Sequence, residues 1–166
     1  MADFFIRELH PEDMPQVASI YNSNHAFLLN HLGAGSISLD FIRQEAAAMA
    51  EAGFHSCVIA SSESQALVGV LDHRPGREAY LSLLMLVRDR QGQGLGRSIY
   101  QLYESEMQRL GCEVIRIDVV CDYPGNLLPF WQSLGFSACE PVRLKWGDRQ
   151  SRAIVMRKKI NKEKQI

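Results

Sequence analysis

Cysteine is scarce in this chain, and its arrangement does not suggest metal or redox chemistry. The 166 residues include four cysteines, Cys57, Cys112, Cys121 and Cys139, and no two of them have the C-x-x-C spacing. Without that spacing or a matching histidine pattern, neither a zinc site nor a redox dithiol is predicted, and we expect no metal. Most of the four are interpreted as small apolar residues. Cys121 follows a predicted strand and keeps a second interpretation, as an acyl-carrying nucleophile.

An excess of charge, a long apolar run and a low-complexity stretch are also missing. The 18 Lys and Arg residues nearly balance the 19 Asp and Glu residues, so no overall charge attracts nucleic acid or an anionic membrane. The first nine residues lack the apolar core of a signal peptide, and no run is long enough to cross a bilayer, so we expect a cytoplasmic protein. We expect one domain over residues 1–160, followed by a basic tail at 161–166.

Glycine is concentrated in residues 91–97, which read QGQGLGR. This segment lies between an apolar, strand-like run and an amphipathic, helix-like run. Glycines let the backbone turn tightly and approach an oxyanion, and the unpaired N–H groups that open a helix point toward such a ligand. The loop is therefore predicted to bind a pyrophosphate.

The spacing in this loop excludes two common phosphate-binding motifs. A dinucleotide fingerprint needs a third glycine where Arg97 stands, and a P-loop needs a glycine at Gln91 and a lysine at Arg97. The pattern that fits is Q-x-x-G-x-G, formed by Gln91, Gly94 and Gly96. It resembles the coenzyme A loop of the GCN5-related N-acetyltransferase (GNAT) superfamily. A nucleotide phosphate remains an alternative ligand.

The resemblance extends over nearly the whole chain. Residues 6–22 are similar to the family's first strand and first helix, and residues 130–136, FWQSLGF, are similar to its closing helix with a terminal Gly-Phe. The resemblance implies transfer of an acetyl group from acetyl-CoA, a cosubstrate, to a primary amine of a small molecule or peptide. A non-catalytic domain that binds acyl-CoA as a sensor or scaffold is the alternative, and a homodimer is left open. The residues implied in coenzyme binding are Leu84, Met85, Leu86, Gln91, Gly92, Gln93, Gly94, Leu95, Gly96, Arg97, Asn126 and Trp131.

The pattern of apolar residues predicts an α+β fold. We expect a mixed, mostly antiparallel twisted sheet of about seven strands, with helices on both faces and one parallel pair. The predicted loop covers residues 22–36, and a turn is predicted at Gly147 and Asp148. Apolar residues occur at both odd and even positions of residues 80–87, which indicates a strand covered on both faces. The resemblance implies that this strand splays from the strand at 114–120 and that the coenzyme's pantetheine arm binds there, along Leu84 and Leu86.

The catalytic base is the first departure from the family pattern. An amine with a pKa near ~10.4 is almost entirely protonated at neutral pH, so a proton must be removed before or during attack. The position of the family's carboxylate is occupied by Tyr80. Two-residue spacing places Glu78 and Ser82 on the same strand face, which suggests a relay from Tyr80 through water to Glu78. His73, near the turn into this strand, is a weaker candidate.

The acid that protonates the departing thiolate is the second departure. The family's tyrosine position is occupied by Trp131, whose indole N–H cannot act as that acid. The family's asparagine position falls on Pro124, and Asn126 lies two residues later. Tyr123 is the nearest phenol in the sequence and is predicted to be the acid.

The acceptor pocket is expected around the first helix, the loop after it and the region between the last two strands. Neutral and aromatic side chains dominate there, so a polycationic acceptor is not favoured. The residues concerned are Tyr21, Asn22, Asn24, His25, Phe27, Asn30, His31 and Trp146.

Overall fold

The computed structural model describes residues 3–146, without the side chain of Trp146, and residues 148–161. Gly147 of the predicted turn and residues 162–166 of the predicted tail lie outside the described residues. The helices are α1 (Met14–Ser23), α2 (His25–Leu32), α3 (Leu39–Glu51), α4 (Leu95–Arg109) and α5 (Leu128–Ser133). The strands are β1 (Phe4–Glu8), β2 (His55–Ser61), β3 (Leu67–Arg74), β4 (Glu78–Leu86), β5 (Val114–Val120), β6 (Ser137–Trp146) and β7 (Arg149–Lys159).

All seven strands belong to one mixed sheet in the order β1-β2-β3-β4-β5-β7-β6. β4 and β5 are parallel, and the other neighbouring strands are antiparallel. The parallel pair follows from the chain path, because α4 crosses over from the end of β4 to the start of β5. Antiparallel neighbours need no such crossover. The predicted fold class is confirmed.

Each face of the sheet has its own apolar core. Ile99, Tyr100 and Tyr103 of α4 pack with residues such as Leu81 and Ile117 on one face. On the other face, α1, α2 and α3 cover β2, β3 and β4, with Val17, Leu28, Ile42, Val58 and Met85 among the buried side chains. No helix within the described ranges is long and apolar enough to cross a membrane.

The predicted loop at residues 22–36 is wrong, because eight of its residues form α2. Asn24 interrupts the helical path after α1, and Gly33, with a φ of 72°, ends α2. α2 has no acidic residue in its first turn, and Leu28 and His31 are both buried. A short helix without a strongly polar face produces little of the periodicity that reveals a helix in a sequence.

β4 contains a bulge at the centre of the sheet. Leu83 pairs with Asp72 of β3, but the next residue of β3, His73, pairs with Leu81, which leaves Ser82 as an extra residue. Leu81 and Leu83 consequently belong to different cores. The strict two-residue spacing that placed Ser82 on the face of Tyr80 does not run through this bulge.

Candidate active site

β4 and β5 form a V that opens toward the glycine loop. Residues 78–80 pair with residues 114–116, and beyond them the described part of β5 pairs with β7 alone. The N–H of Val87, just after β4, donates to the carbonyl of Val68 in β3 at 2.8 Å. Neighbouring residues of an antiparallel strand direct their backbone groups to opposite sides, so Leu84 and Leu86 direct theirs into the V. A ligand that carries amides can pair with this edge as an added strand.

The glycine loop forms an open cradle at the mouth of the V. Gly92 and Gly94 have φ angles of 75° and 79°, and a Cβ placed on either would meet no atom within 4 Å. α4 has no side-chain cap, and its first backbone hydrogen bond runs from Ser98 to Gly94 at 3.3 Å. The N–H groups of residues 95–97 therefore lack an intrahelical acceptor and lie at the positive end of the helix dipole. Such a terminus suits a pyrophosphate.

The side chain of Gln91 anchors the glycine loop to Asn24 and to the end of β4. Its amide donates to the side-chain oxygen of Asn24 at 2.6 Å and to the carbonyl of Leu86 at 2.9 Å. The Asn24 amide donates to the same carbonyl at 3.0 Å. The Leu86 carbonyl is thus occupied by two protein donors, which leaves the N–H of Leu86 and the backbone of Leu84 as the groups available to a ligand. The side chain of Met85, between them, is buried beneath α1 and α2.

The other polar loop residues also make contacts within the protein. Gln93 donates to the carbonyl of Asp89 at 3.0 Å, and Arg97 donates to the hydroxyl of Ser133 in α5 at 2.9 Å. A Cβ on Gly96 would make an ordinary contact with Phe130 at 3.6 Å. The loop is therefore fixed at both ends, while its glycine backbone stays accessible.

Trp131 and Asn126, which the family resemblance implies in coenzyme binding, both make contacts within the protein. The Trp131 side chain is 7% exposed and packs edge-to-face against Tyr100, Phe130 and Phe136. The Asn126 amide donates to the carbonyl of Tyr123, and its oxygen accepts from the N–H of Leu128. Trp131 thus fills the core under α4, and Asn126 shapes the turn that starts α5.

Tyr80 lies where the pairing of β4 and β5 ends, and its hydroxyl group donates to Asp118 of β5 at 2.7 Å. Arg116 donates two hydrogen bonds to the same carboxylate, at 2.9 and 3.0 Å. Burial, and then the bond to Asp118, raises the pKa of Tyr80 well above that of a free phenol. The predicted partner Glu78 accepts instead from Arg157 at 3.1 Å.

Asp118 was not identified from the sequence, although a signal was present. Arg116 and Asp118 alternate with Ile115, Ile117 and Val119 along β5, which indicates one polar face. Their contact with Tyr80 depends on the register between β4 and β5, which the sequence did not provide.

Tyr123 follows β5 and lies beside α2. Its ring meets the edge of His31 with the two ring centroids 5.9 Å apart. Burial raises the pKa of Tyr123, and the neighbouring Asp122 acts in the same direction. Burial lowers the pKa of His31, so at neutral pH a protonated phenol lies against an uncharged imidazole. Cys121 lies two residues before Tyr123, and its Sγ contacts the carbonyl of Arg152 at 3.5 Å.

The residues predicted to form the acceptor pocket mainly hold the first two helices in place. The Asn22 side chain bonds to both backbone groups of Ile37, at 2.8 and 3.2 Å. His25 contacts the carbonyl of Gly35 at 3.0 Å. Asn24 supports the glycine loop, as described above. The side chain of Trp146 lies outside the described residues.

Between α1, α3 and the sheet lies a cavity of about 30 Å³. Its lining includes Tyr21, Glu45, Ser56 and Asp72. Burial raises the pKa of Asp72 to about 6, with Glu45 adding to the effect and a hydrogen bond from Ser56 opposing it. Two carboxylates, those of Glu45 and Asp72, thus line a cavity beside Tyr21, one of the residues predicted for the acceptor pocket.

Comparisons with known proteins agree with this geometry. The family model described as an acetyltransferase (GNAT) domain matches residues 33–160. No curated protein sequence matches the chain. Similar solved structures include the ribosomal-protein-S18-alanine N-acetyltransferase of Escherichia coli, with 20% identity, a TM-score of 0.70 and coverage of 98% of this chain and 97% of that one. An acetyltransferase of Thermus thermophilus has 20% identity, a TM-score of 0.73 and coverages of 95% and 97%.

The spermidine N-acetyltransferase of Vibrio cholerae, solved in complex with CoA and spermine, has 14% identity, a TM-score of 0.71 and coverage of 95% of both chains. At these identities the structural similarity establishes the fold alone. The family match includes the glycine loop, both strands of the V and most of the chain. The chain therefore belongs to the GNAT acetyltransferases, a family of acyltransferases.

Proposed function

We propose that this protein transfers an acetyl group from acetyl-CoA to a primary amine by direct attack of the amine on the thioester. The observation that carries the proposal is the continuity of two features, the unpaired edge of β4 inside the V and the uncapped start of α4 at its mouth. Together they match a ligand with an amide-bearing arm attached to a pyrophosphate.

The residues of the chain fit such a ligand at both places. The N–H groups of residues 95–97 would hold the pyrophosphate, and Gly92 and Gly94 leave room for it because a Cβ there would point into open space. Leu84 and the N–H of Leu86 would pair with the pantetheine amides. Acetyl-CoA supplies an activated acyl group and a good leaving group, so orientation and proton transfer are the tasks left to the protein.

Direct transfer is favoured over an acyl-enzyme because Cys121 is not arranged as a nucleophile. Its sulfur contacts the Arg152 carbonyl, whereas a nucleophilic thiol is usually activated by a neighbouring base or cation. Tyr80, at the vertex of the V, and Tyr123, after the end of β5, would then serve the amine and the departing thiolate.

The acceptor is proposed to be an amine of a small molecule or peptide. The structural relatives act, by their names, on an alanine of ribosomal protein S18 and on spermidine, so both peptide and polyamine acceptors belong in a test. A cytoplasmic location, the absence of nucleic-acid and membrane partners, and a homodimer stay predictions from the sequence.

Two measurements test the function. Thermal unfolding with CoA, acetyl-CoA, ATP or NAD identifies the ligand of the loop; greater stabilisation by ATP or NAD than by CoA would support the nucleotide alternative. A panel of amino acids, short peptides with free amino termini, lysine analogues and polyamines is then incubated with acetyl-CoA, and released thiol is measured. Stabilisation by CoA without thiol release for any amine would support the sensor or scaffold alternative.

A further inference from the structure

The carboxylate of Asp118 is the most completely enclosed acidic group at the vertex of the V. Its side chain is 2% exposed, whereas that of its partner Arg116 is 28% exposed. One oxygen accepts from Tyr80 and from Arg116 Nη2, and the other accepts from Arg116 Nε. Both oxygens of this buried carboxylate therefore have donors, and the charge of the guanidinium compensates for the carboxylate's loss of water.

This hydrogen bond determines which way the phenol of Tyr80 faces. A phenol has one hydrogen to donate and oxygen lone pairs to accept. Since the hydrogen is donated to Asp118, the lone pairs of the Tyr80 oxygen can accept from a second donor, and Tyr80 is only half-buried. An amine or ammonium group is such a donor.

The position of Tyr80 and Asp118 in the V suits an acceptor amine. Tyr80 and Arg116 are the last residues paired between β4 and β5, so the hydroxyl of Tyr80 lies at the point where the V begins. The Tyr80 ring is held by Phe54 from one side, with ring centroids 5.5 Å apart, and by the Arg116 guanidinium 4.8 Å from its centroid. These contacts fix the ring and leave the hydroxyl oxygen as its polar end.

We propose that Tyr80 contacts the acceptor amine and passes a proton from it to Asp118, which thereby replaces the carboxylate missing from β4. The inference rests on the proposed function. Tyr80 is the catalytic residue of the pair, Asp118 receives the proton through it, and Arg116 is a positioning residue that orients the carboxylate.

The proton transfer balances without another reactant. The acceptor binds as an ammonium, and one of its N–H protons leaves before the nitrogen attacks. That proton moves to the Tyr80 oxygen while the phenolic proton moves to Asp118, so Tyr80 ends as a neutral phenol and Asp118 as a carboxylic acid. The neutral amine then forms a bond to the thioester carbonyl carbon, and the carbon–sulfur bond breaks with its electron pair on sulfur. The thiolate takes up the second proton that the nitrogen loses, and Asp118 returns its proton to solvent. No phenolate forms, which agrees with the raised pKa of Tyr80.

Several charges face this relay from neighbouring strands. Arg74 of β3 lies 6.0 Å from the Tyr80 ring centroid, and Arg157 of β7 pairs with Glu78 and Glu140. The guanidinium of an arginine is not deprotonated in proteins. Glu78 and Glu140 are both exposed and lie within ion-pair distance of Arg157.

The test compares the pH dependence of kcat for wild type, Asp118→Asn and Tyr80→Phe with one amine, the best acceptor from the screen. At pH 7 we expect each variant to lose about 100-fold in kcat, a typical general-base effect. Above pH 7 the variants should gain about tenfold per pH unit as neutral amine accumulates, so the deficit should shrink below about tenfold by pH 9.5. CoA-induced stabilisation should be unchanged, and Asp40→Asn, the same substitution at an exposed helix start, should match wild type.

A double variant separates a relay from two independent effects. Because both residues act as one unit, Asp118→Asn with Tyr80→Phe should be no more than about threefold slower than either single variant. The substitution Asp118→Asn leaves Arg116 without its charge partner. If this variant does not fold, Tyr80→Phe carries the test alone, because it keeps the ion pair between Arg116 and Asp118.

The outcomes distinguish this inference from the proposed function. An active wild type with an unchanged Tyr80→Phe or Asp118→Asn, or with a deficit that is the same at every pH, overturns the relay alone. A wild type that binds CoA but releases no thiol with any amine overturns the proposed function and the relay with it.

Discussion

The side chains of Gln91 and Asn24 meet across 2.6 Å and join the glycine loop to the junction between α1 and α2. Both amides also donate to the carbonyl of Leu86, and the hydroxyl of Ser23 accepts from the N–H of Arg88. The loop is therefore held by a partly buried polar contact that joins it to α1 and α2. The glycine backbone of the same loop is the part proposed to bind the coenzyme.

Removing this contact should loosen the loop without touching a coenzyme atom. Asn24 is 8% exposed, so Asn24→Ala leaves the Gln91 amide and a backbone carbonyl short of a partner. We expect the free energy of unfolding to fall by about 1–3 kcal/mol and the Kd for CoA to rise severalfold. Asn22→Ala is the matched control, since Asn22 also makes two side-chain bonds to backbone but on the exposed side of α1. Equal effects of both variants on CoA binding would contradict this role.

Two glycines at opposite ends of α4 offer a second matched comparison. Gly94 and Gly111 have φ angles of 79° and 81°, and a Cβ on either would meet no atom within 4 Å. Valine should therefore strain both positions by a similar amount, roughly 1–2 kcal/mol. Only Gly94 lies in the proposed pyrophosphate cradle.

We expect saturating CoA to stabilise wild type and Gly111→Val equally, by roughly 2.7 kcal/mol at 100 times the Kd, and to have little effect on Gly94→Val. The measurement is the shift in thermal unfolding with and without CoA. A Gly94→Val protein that responds as fully as Gly111→Val would mean that the pyrophosphate binds elsewhere.

The sequence was most informative where local chemistry determines structure. The glycine loop, the apolar strand before it and the amphipathic helix after it follow from spacing and periodicity, and the parallel pair follows from the crossover between them. α2 was missed because its eight residues lack a strongly polar face, and the bulge at Ser82 because one extra residue leaves no periodic signal. The partners of Tyr80 and Gln91 lie 38 and 67 positions away in the chain, so their contacts depend on tertiary register rather than on local pattern.

Asp72 should make stability depend on pH in a defined direction. Its pKa is raised to about 6 in the folded protein, above the value of about 3.9 expected when unfolded. The stability linked to this group is therefore fully present below pH 4 and lost as pH rises through 6.

The substitution Asp72→Asn removes this dependence while keeping an oxygen for the Ser56 hydroxyl. Relative to wild type, the variant should gain on the order of 2 kcal/mol in unfolding free energy between pH 4 and pH 8. Denaturant titrations of both proteins at each pH measure the difference in unfolding free energy. The contributions of the other carboxylates are the same in both proteins and cancel in this difference. The control Asp40→Asn, at an exposed position, should show no such trend. A constant difference across this range would show that the carboxylate is not buried as described.

The order of the chemical steps can be checked by mass. If the amine attacks the thioester directly, incubation with acetyl-CoA alone should leave the intact mass of the protein unchanged. Cys121→Ser should then retain near-wild-type kcat. An added acetyl group that maps to Cys121 and disappears on addition of amine would instead establish a ping-pong reaction.

Tyr123 is the remaining candidate for the acid that protonates the thiolate. Its pKa is raised by burial and by Asp122, so the phenol is protonated at neutral pH and has a proton to give, whereas Trp131, at the family's tyrosine position, is packed in the core. In the described part of the chain the Tyr123 hydroxyl makes no hydrogen bond, and its ring is oriented by His31. We expect Tyr123→Phe to lower kcat by roughly 10- to 100-fold, the low end of general-acid effects, with little change in CoA affinity. The loss should fall when the thiolate leaving group is made less basic, as in an acyl donor with an electron-withdrawing thiol, because a better leaving group needs less help from an acid. A folded Tyr123→Phe enzyme with wild-type kcat for both donors would show that water protonates the thiolate, and that Tyr123 only packs against α2.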